Sequence, residues 1–310
     1  MRRLIMKYFG QKFSFLFINS WMKQLGIESV VGVACMLFVF MPPEKAISKN
    51  PVKTFVSILP QAYFVERIGG QHVTVHVLVG PGQSPATYEP TPQQMAALAE
   101  SQVYFRIGTP FEEAFIGKIA SAFKSLEIID TRQGLPLRYF QGTGGKQIPD
   151  PHIWLDPKRV KIQAQTISKV LRRLAPTYAE DFENNLRTFQ RDLDIADAKI
   201  AEALAPVKGE RFYVFHPAFG YFAESYGLQQ MAIEIEGKEP SAKQLADLID
   251  RAKKDHVRVI FVQPQYAKKD AEAVAKAIGG AVVPMNPLPR DYLTSLQEMA
   301  TILRDGLLRR

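Results

Sequence analysis

The sequence predicts an α/β protein made of two α/β lobes with mainly parallel sheets, joined by one long linking helix. Three observations carry this reading. From Lys53 onward, short apolar runs alternate with longer amphipathic stretches, the pattern of buried strands and covering helices. That alternation breaks off near residue 174 and restarts near residue 212. Between the two halves lies a charged, helix-periodic stretch bounded by Pro176 and Pro206, suited to a rigid strut.

In the first half the apolar runs place strands over 54–59, 73–79, 103–107 and 126–129, and helices over 61–68, 92–100 and 112–123. Thr91 followed by Pro92 is a good helix entry, a hydroxyl cap and then a proline in the first turn. Residues 135–149 hold Gly142, Gly144 and Gly145 with little periodicity and predict an exposed loop. Helices follow over 157–174 and 177–204. The second half predicts strands over 212–215, 231–235, 257–262 and 281–285, with helices near 218–226, 242–255, 269–277 and 292–308.

With 310 residues, 46% of them hydrophobic and 23% charged, the chain has ample material for a packed core, and disorder is excluded. The formal charge of +8 points to no nucleic acid. Residues 1–50 carry seven Lys/Arg against Glu28 and Glu44, which leaves +3 for the rest, and no basic run with interleaved aromatics follows.

Residues 29–41 are uncharged and mostly apolar after a basic segment, short for a spanning helix and suited to a signal-peptide core. Initiation at Met22 would give a more compact leader. Glu44-Lys45-Ala46 is a poor cleavage site, so an uncleaved membrane anchor stays open beside export. The sole cysteine, Cys35, lies inside the apolar core of this segment, with no Leu shortly before it to mark lipid attachment. The expected organisation is a leader or anchor over 1–50, a first lobe over 51–176, a linking helix over 177–206 and a second lobe over 207–310.

In open parallel sheets, ligands sit beyond the carboxyl ends of strands. There the chain is polar: Phe212-Tyr213-Val214-Phe215 ends in His216, Val259-Ile260-Phe261-Val262 in Gln263, and Val282-Val283-Pro284-Met285 in Asn286. The other lobe offers the Gly/Pro-rich residues 80–90, with Glu89 near their end, and then Arg106 after a strand. His152, between a loop and a helix with prolines on either side, is the second strong candidate. Two imidazoles facing one cleft would suit zinc, manganese or a related ion. Each also has a structural alternative, a core histidine bonded to a carbonyl for His152 and a strand-end contact for His216.

Other polar residues read as structural. Asp156 before Pro157 reads as a helix N-cap. His72 and His76 alternate with valines and should face solvent, and His256 at a helix end favours the helix dipole. Arg106 either adds a cation to the cleft or pairs with Glu112 or Glu113. No HExxH, no GxSxG and no nucleophile paired with a base is present, so an enzyme is not predicted.

Several long phrases resemble the zinc/manganese class of ABC-transporter solute-binding proteins. They are Ser57-Ile58-Leu59-Pro60-Gln61, Thr87-Tyr88-Glu89-Pro90-Thr91-Pro92, Asp150-Pro151-His152-Ile153-Trp154-Leu155-Asp156-Pro157, Phe215-His216-Pro217-Ala218-Phe219-Gly220-Tyr221-Phe222 and Ile233-Glu234-Ile235-Glu236-Gly237-Lys238-Glu239-Pro240-Ser241. The resemblance runs from Val52 to about Leu296. It implies an exported receptor, periplasmic or extracytoplasmic, monomeric, delivering Zn2+, with Mn2+ as the alternative ion, from an interlobe cleft to an ABC permease in the inner membrane; members of this class also include cell-adhesion proteins.

The same resemblance implies four ligand positions. His152 and His216 match two of them. The first, a histidine in the family, is Ala86 here, and the last, a carboxylate, corresponds to Asn286. Glu89 or Gln263 could enter a depleted shell. The alternative is the same fold with a degenerate site that binds a chelated or anionic solute or serves as an interaction protein.

Overall fold

The computed structural model describes residues 50–234, 241–266 and 269–309. By its contacts the chain divides into Met1–Ala46 and Ile47–Arg310. The expected leader and its cleavage region lie outside the described residues, as do Ile235 and the Glu236–Pro240 part of the last resemblance phrase.

Within the second unit, β1 (Val52–Ile58), β2 (Val73–Val79), β3 (Val103–Arg106) and β4 (Glu127–Asp130) form one sheet in the order β2-β1-β3-β4, all neighbours parallel. β1 is central and buried at every position but Lys53, which is why its sequence reads as a continuous apolar run. Helices α1 (Leu59–Gly69), α2 (Pro92–Ala99) and α3 (Pro110–Ala122) make the crossovers. Thr91 caps α2 as predicted, in a reciprocal capping box with Gln94.

Residues 135–149 depart from the predicted loop. They contain a small antiparallel hairpin, β5 (Tyr139–Gln141) with β6 (Gln147–Pro149), with Gly144 at φ 70° in its turn. Strands of three residues are too short for a period-2 signal, and the glycines that read as disorder of pattern are the turn itself.

Helix α4 (Pro157–Leu174) leads to α5 (Ala179–Leu204), 26 residues long. It starts two residues later than predicted, because Pro176–Tyr178 forms a 3-10 turn first. Its apolar stripe, Phe182, Leu186, Phe189, Leu193, Ala196, Ile200 and Leu204, is buried against α1, α4 and α9 (Tyr292–Leu308).

The second sheet is β10-β9-β7-β8, again parallel: β7 (Arg211–Val214), β8 (Gln229–Ala232), β9 (Val259–Val262) and β10 (Ala281–Pro284). Helices α6 (Gly220–Tyr226), α7 (Ala242–Lys254) and α8 (Lys269–Ala277) connect them. Because β8 and β9 lie on opposite sides of β7, the strand order reverses there, and a crevice opens beyond the carboxyl ends of β7 and β9.

His72 does not face solvent. It sits in a 3-10 turn just before β2, 6% exposed, with Nε2 2.8 Å from Asp181 and its ring stacked on Tyr178 at 3.9 Å. The strand alternation starts only at Val73, after the turn that holds His72. His76 is exposed, as predicted, and stacks on Phe55.

Candidate metal centre

His216 lies directly beyond β7, at the mouth of the second sheet's crevice. Gln263, beyond β9, holds it there: its Oε1 accepts the His216 backbone N–H at 3.1 Å and its Nε2 donates to the His216 carbonyl at 2.7 Å. The β7–β8 ladder continues past the strand ends, with Glu234 N–H donating to Phe215 O at 3.0 Å. This brings the Glu234 carboxylate to 2.9 Å from His216 Nδ1.

His152 comes from the turn between β6 and α4. Asp150 shapes that turn, accepting from the His152 backbone N–H at 3.0 Å and from its Nδ1 at 2.7 Å. Residues of the second half then fasten it. The Trp154 indole N–H donates to Pro287 O at 2.7 Å, Tyr292 OH to Trp154 O, and Tyr221 OH to Asp150 O at 3.1 Å. Asp156 caps α4 through Lys158 N–H, as predicted.

The outcome is a pair of imidazoles from distant segments with Nε2 atoms 3.2 Å apart and rings inclined at 69°. Their side chains are only 10% and 16% exposed. Each Nδ1 faces a carboxylate, which suits it as an N–H donor and leaves each Nε2 free to offer its lone pair. Burial holds His216 below the ordinary imidazole range; the Glu234 bond opposes this and the adjacent His152 adds to it. Two lone pairs so placed repel unless a proton or a cation stands between them. The pair is suited to hold a cation.

Around it, Trp154 packs at 5.1 Å from His152, Phe140 of the hairpin at 6.4 Å, and Tyr266 stacks on His216 at 4.7 Å. Burial pushes the Tyr266 phenol up to about 12, against the opposing effect of the neighbouring Ser84 hydroxyl.

The other sequence candidates are placed differently. Asn286 Oδ1 accepts from Leu288 N–H at 3.0 Å and from Gln265 Nε2 at 2.9 Å, Gln263 is occupied with the His216 backbone, and Glu89 is exposed. Among the described residues no group of three or more His, Cys, Asp or Glu stands ready to hold one ion. Arg106 is committed to Glu112 at 3.1 Å and Glu113 at 2.7 Å, the pairing that the sequence left open. Glu112, fully buried, also accepts from Ser57 Oγ, Ile107 N–H and Gly108 N–H, so this network fills the first sheet's own crevice between β1 and β3.

Sequence reasoning missed Asp150, Glu234 and Tyr266. A carboxylate two residues before a histidine, as in Asp150-Pro151-His152, is a local signal. Tyr266 gave none, and Glu234 only its place in a resemblance phrase, since only the sheet brings them to His216.

The family model of the zinc-uptake complex component A, periplasmic, matches residues 55–306. The chain belongs to this family. Its members are solute-binding components of ABC transporters and not enzymes. A solved structure of ZnuA is 40% identical, with a TM-score of 0.79, covering 83% of this chain and all of its own. A ZnuA deletion mutant with zinc bound has the same identity and TM-score. A putative metal-binding protein of Chlamydia muridarum is 26% identical over 256 residues, 82% of this chain and 91% of its own length. The zinc-binding lipoprotein AdcA of Streptococcus pneumoniae serotype 4 is 25% identical, matched over 55% of its length. A laminin-binding protein of Streptococcus agalactiae, described as an adhesin with metal-transporting activity, shares the fold at a TM-score of 0.75 and 23% identity. Among the described residues no helix is long and apolar enough to cross a membrane.

Proposed function

We propose that this protein is the extracytoplasmic receptor of an ABC zinc-uptake system, that it holds one Zn2+ between His152 and His216 in the cleft between its lobes, and that it works as a monomer, tethered or free, delivering the ion to an inner-membrane permease. The observation that carries the reading is the 3.2 Å approach of two Nε2 atoms whose Nδ1 atoms are both pinned to carboxylates. With Zn–N bonds of about 2.0–2.1 Å, two nitrogens at that distance subtend an angle of roughly 100°, close to tetrahedral. Asp150 and Glu234 orient the rings and offset the ion's charge from behind them, as carboxylate–histidine–metal triads do.

Imidazole nitrogens without a direct carboxylate suit zinc better than manganese, which prefers oxygen donors. An anionic solute is disfavoured, because Arg106 and Arg132 both lie against carboxylates, Arg132 on Asp130 at 2.7 Å. With two protein donors the shell is completed by water.

Thermal unfolding of the full chain with zinc, manganese or a chelator tests the reading. Zinc at about a hundred times its Kd should stabilise by about 2.7 kcal/mol. His152→Ala and His216→Ala should each abolish that shift. Absence of a zinc shift in the unaltered protein would sink the proposal.

A further inference from the structure

Two protein nitrogens fill half of a tetrahedral shell, so the proposed ion keeps two positions open to small ligands. Open positions are also where a chelating group attacks and strips a metal. What stands over them therefore decides how long the ion stays and which ligands may accompany it.

Tyr266 packs against the pair on its His216 side. It follows β9, and its ring lies nearly parallel to His216, 4.7 Å between centroids and 20° between planes, with Phe215 behind it at 5.6 Å. Its phenol neighbours Ser84, in the first-half loop that follows β2. Ala86 is two residues further along that loop and brings no donor. The ring thus links the His216 side of the cleft to the loop that follows β2. Trp154 and Phe140 wall the His152 side.

We infer that Tyr266 is a retention and selectivity residue: stacked on His216 and reaching Ser84, it admits water to the open coordination positions and excludes chelating groups. The inference rests on zinc being held by His152 and His216. It makes the receptor one for the solvated ion and not for a metal chelate. Tyr266 acts as a wall and contributes no donor atom.

The test is zinc release from the loaded full chain into rising concentrations of EDTA. In the unaltered protein the rate should level off, since the ring must move before the chelator can enter. In Tyr266→Ala it should rise in proportion to EDTA and exceed the unaltered rate at least tenfold. The visible spectrum of the cobalt(II)-substituted protein should stay the same, because the donors are unchanged. Tyr266→Phe and Ser84→Ala, which keep the ring but remove the polar contact between phenol and loop, should each raise the limiting rate by about fivefold, and the double variant no further. A Tyr266→Ala rate that stays independent of EDTA overturns the inference, as does a changed cobalt spectrum, which would make the phenol a ligand. Should Tyr266→Ala not fold, unaltered release rates in both milder variants and their double overturn it. Failure of the unaltered protein to bind zinc overturns the zinc reading together with this one; normal zinc binding with any of these results overturns this one alone.

Discussion

The indole N–H of Trp154 donates to the carbonyl of Pro287, 133 residues away, at 2.7 Å. This bond fastens the His152 turn to the segment after β10, in the half of the chain that also carries His216. Phenylalanine at 154 would keep most of the packing but leave the buried Pro287 carbonyl unpaired. Trp154→Phe should cost about 1–3 kcal/mol in urea unfolding, while still binding one zinc.

The carboxylates behind the imidazoles are predicted to tune affinity without touching the ion. Asp150→Asn and Glu234→Gln each weaken the lock on an Nδ1–H and remove a compensating charge. Zinc affinity, measured by competition against a fluorescent chelator, should fall about 10- to 100-fold in each.

Placing donors at Ala86 and Asn286, the two positions where the resemblance implies ligands that this chain lacks, should tighten the proposed site. Asn286→Asp keeps an acceptor for Leu288 N–H and Gln265, so it should be tolerated. Combined with Ala86→His it is expected to raise zinc affinity at least about tenfold, or 1.4 kcal/mol. An unchanged affinity would mean that the loop carrying Ala86 does not reach the ion.

His256 ends α7 with φ 53°, the one non-glycine residue with positive φ among the described residues. The bonds Val257 N–H to Ala252 O and His256 N–H to Lys253 O complete a Schellman cap, whose left-handed position favours glycine. Relief of that strain, less the added freedom of the unfolded chain, predicts that His256→Gly raises stability by about 0.5–1 kcal/mol, seen as a higher Tm.

Asp130 gives a pH signature. Burial opposes its ionisation, but hydrogen bonds from Arg132, with the charges of Arg132 and Arg106, hold its pKa below the ordinary 3.8. A depressed folded pKa contributes stability that is complete above the unfolded value and is lost as pH falls through the folded one. With the side chain 34% exposed the contribution is under about 1 kcal/mol. Asp130→Asn should therefore be less stable than the unaltered protein at pH 6, and the difference should shrink and vanish as the pH falls below the ordinary 3.8 and through the lowered folded value, followed by denaturant unfolding.

Much of this protein is legible from local sequence. Continuous apolar runs such as Val259-Ile260-Phe261-Val262 mark central parallel strands, because both faces of such a strand are covered. The stripe from Phe182 to Leu204 marks the long helix, and Thr91 and Asp156 mark helix starts by their own side chains. His152 and His216 stood out because each follows a pattern break at an element end. These signals depend on periods and neighbours within a few residues, so one chain displays them.

The tertiary structure alone decided which groups meet. It placed Glu234 behind His216 through the β7–β8 register, turned Gln263 to the His216 backbone, filled the first crevice with Glu112, and buried His72 against Asp181. It also set the 3.2 Å between two Nε2 atoms from residues 64 positions apart. Such contacts follow from strand order and crossover path, which depend on how whole faces pack. No local period in the sequence records them.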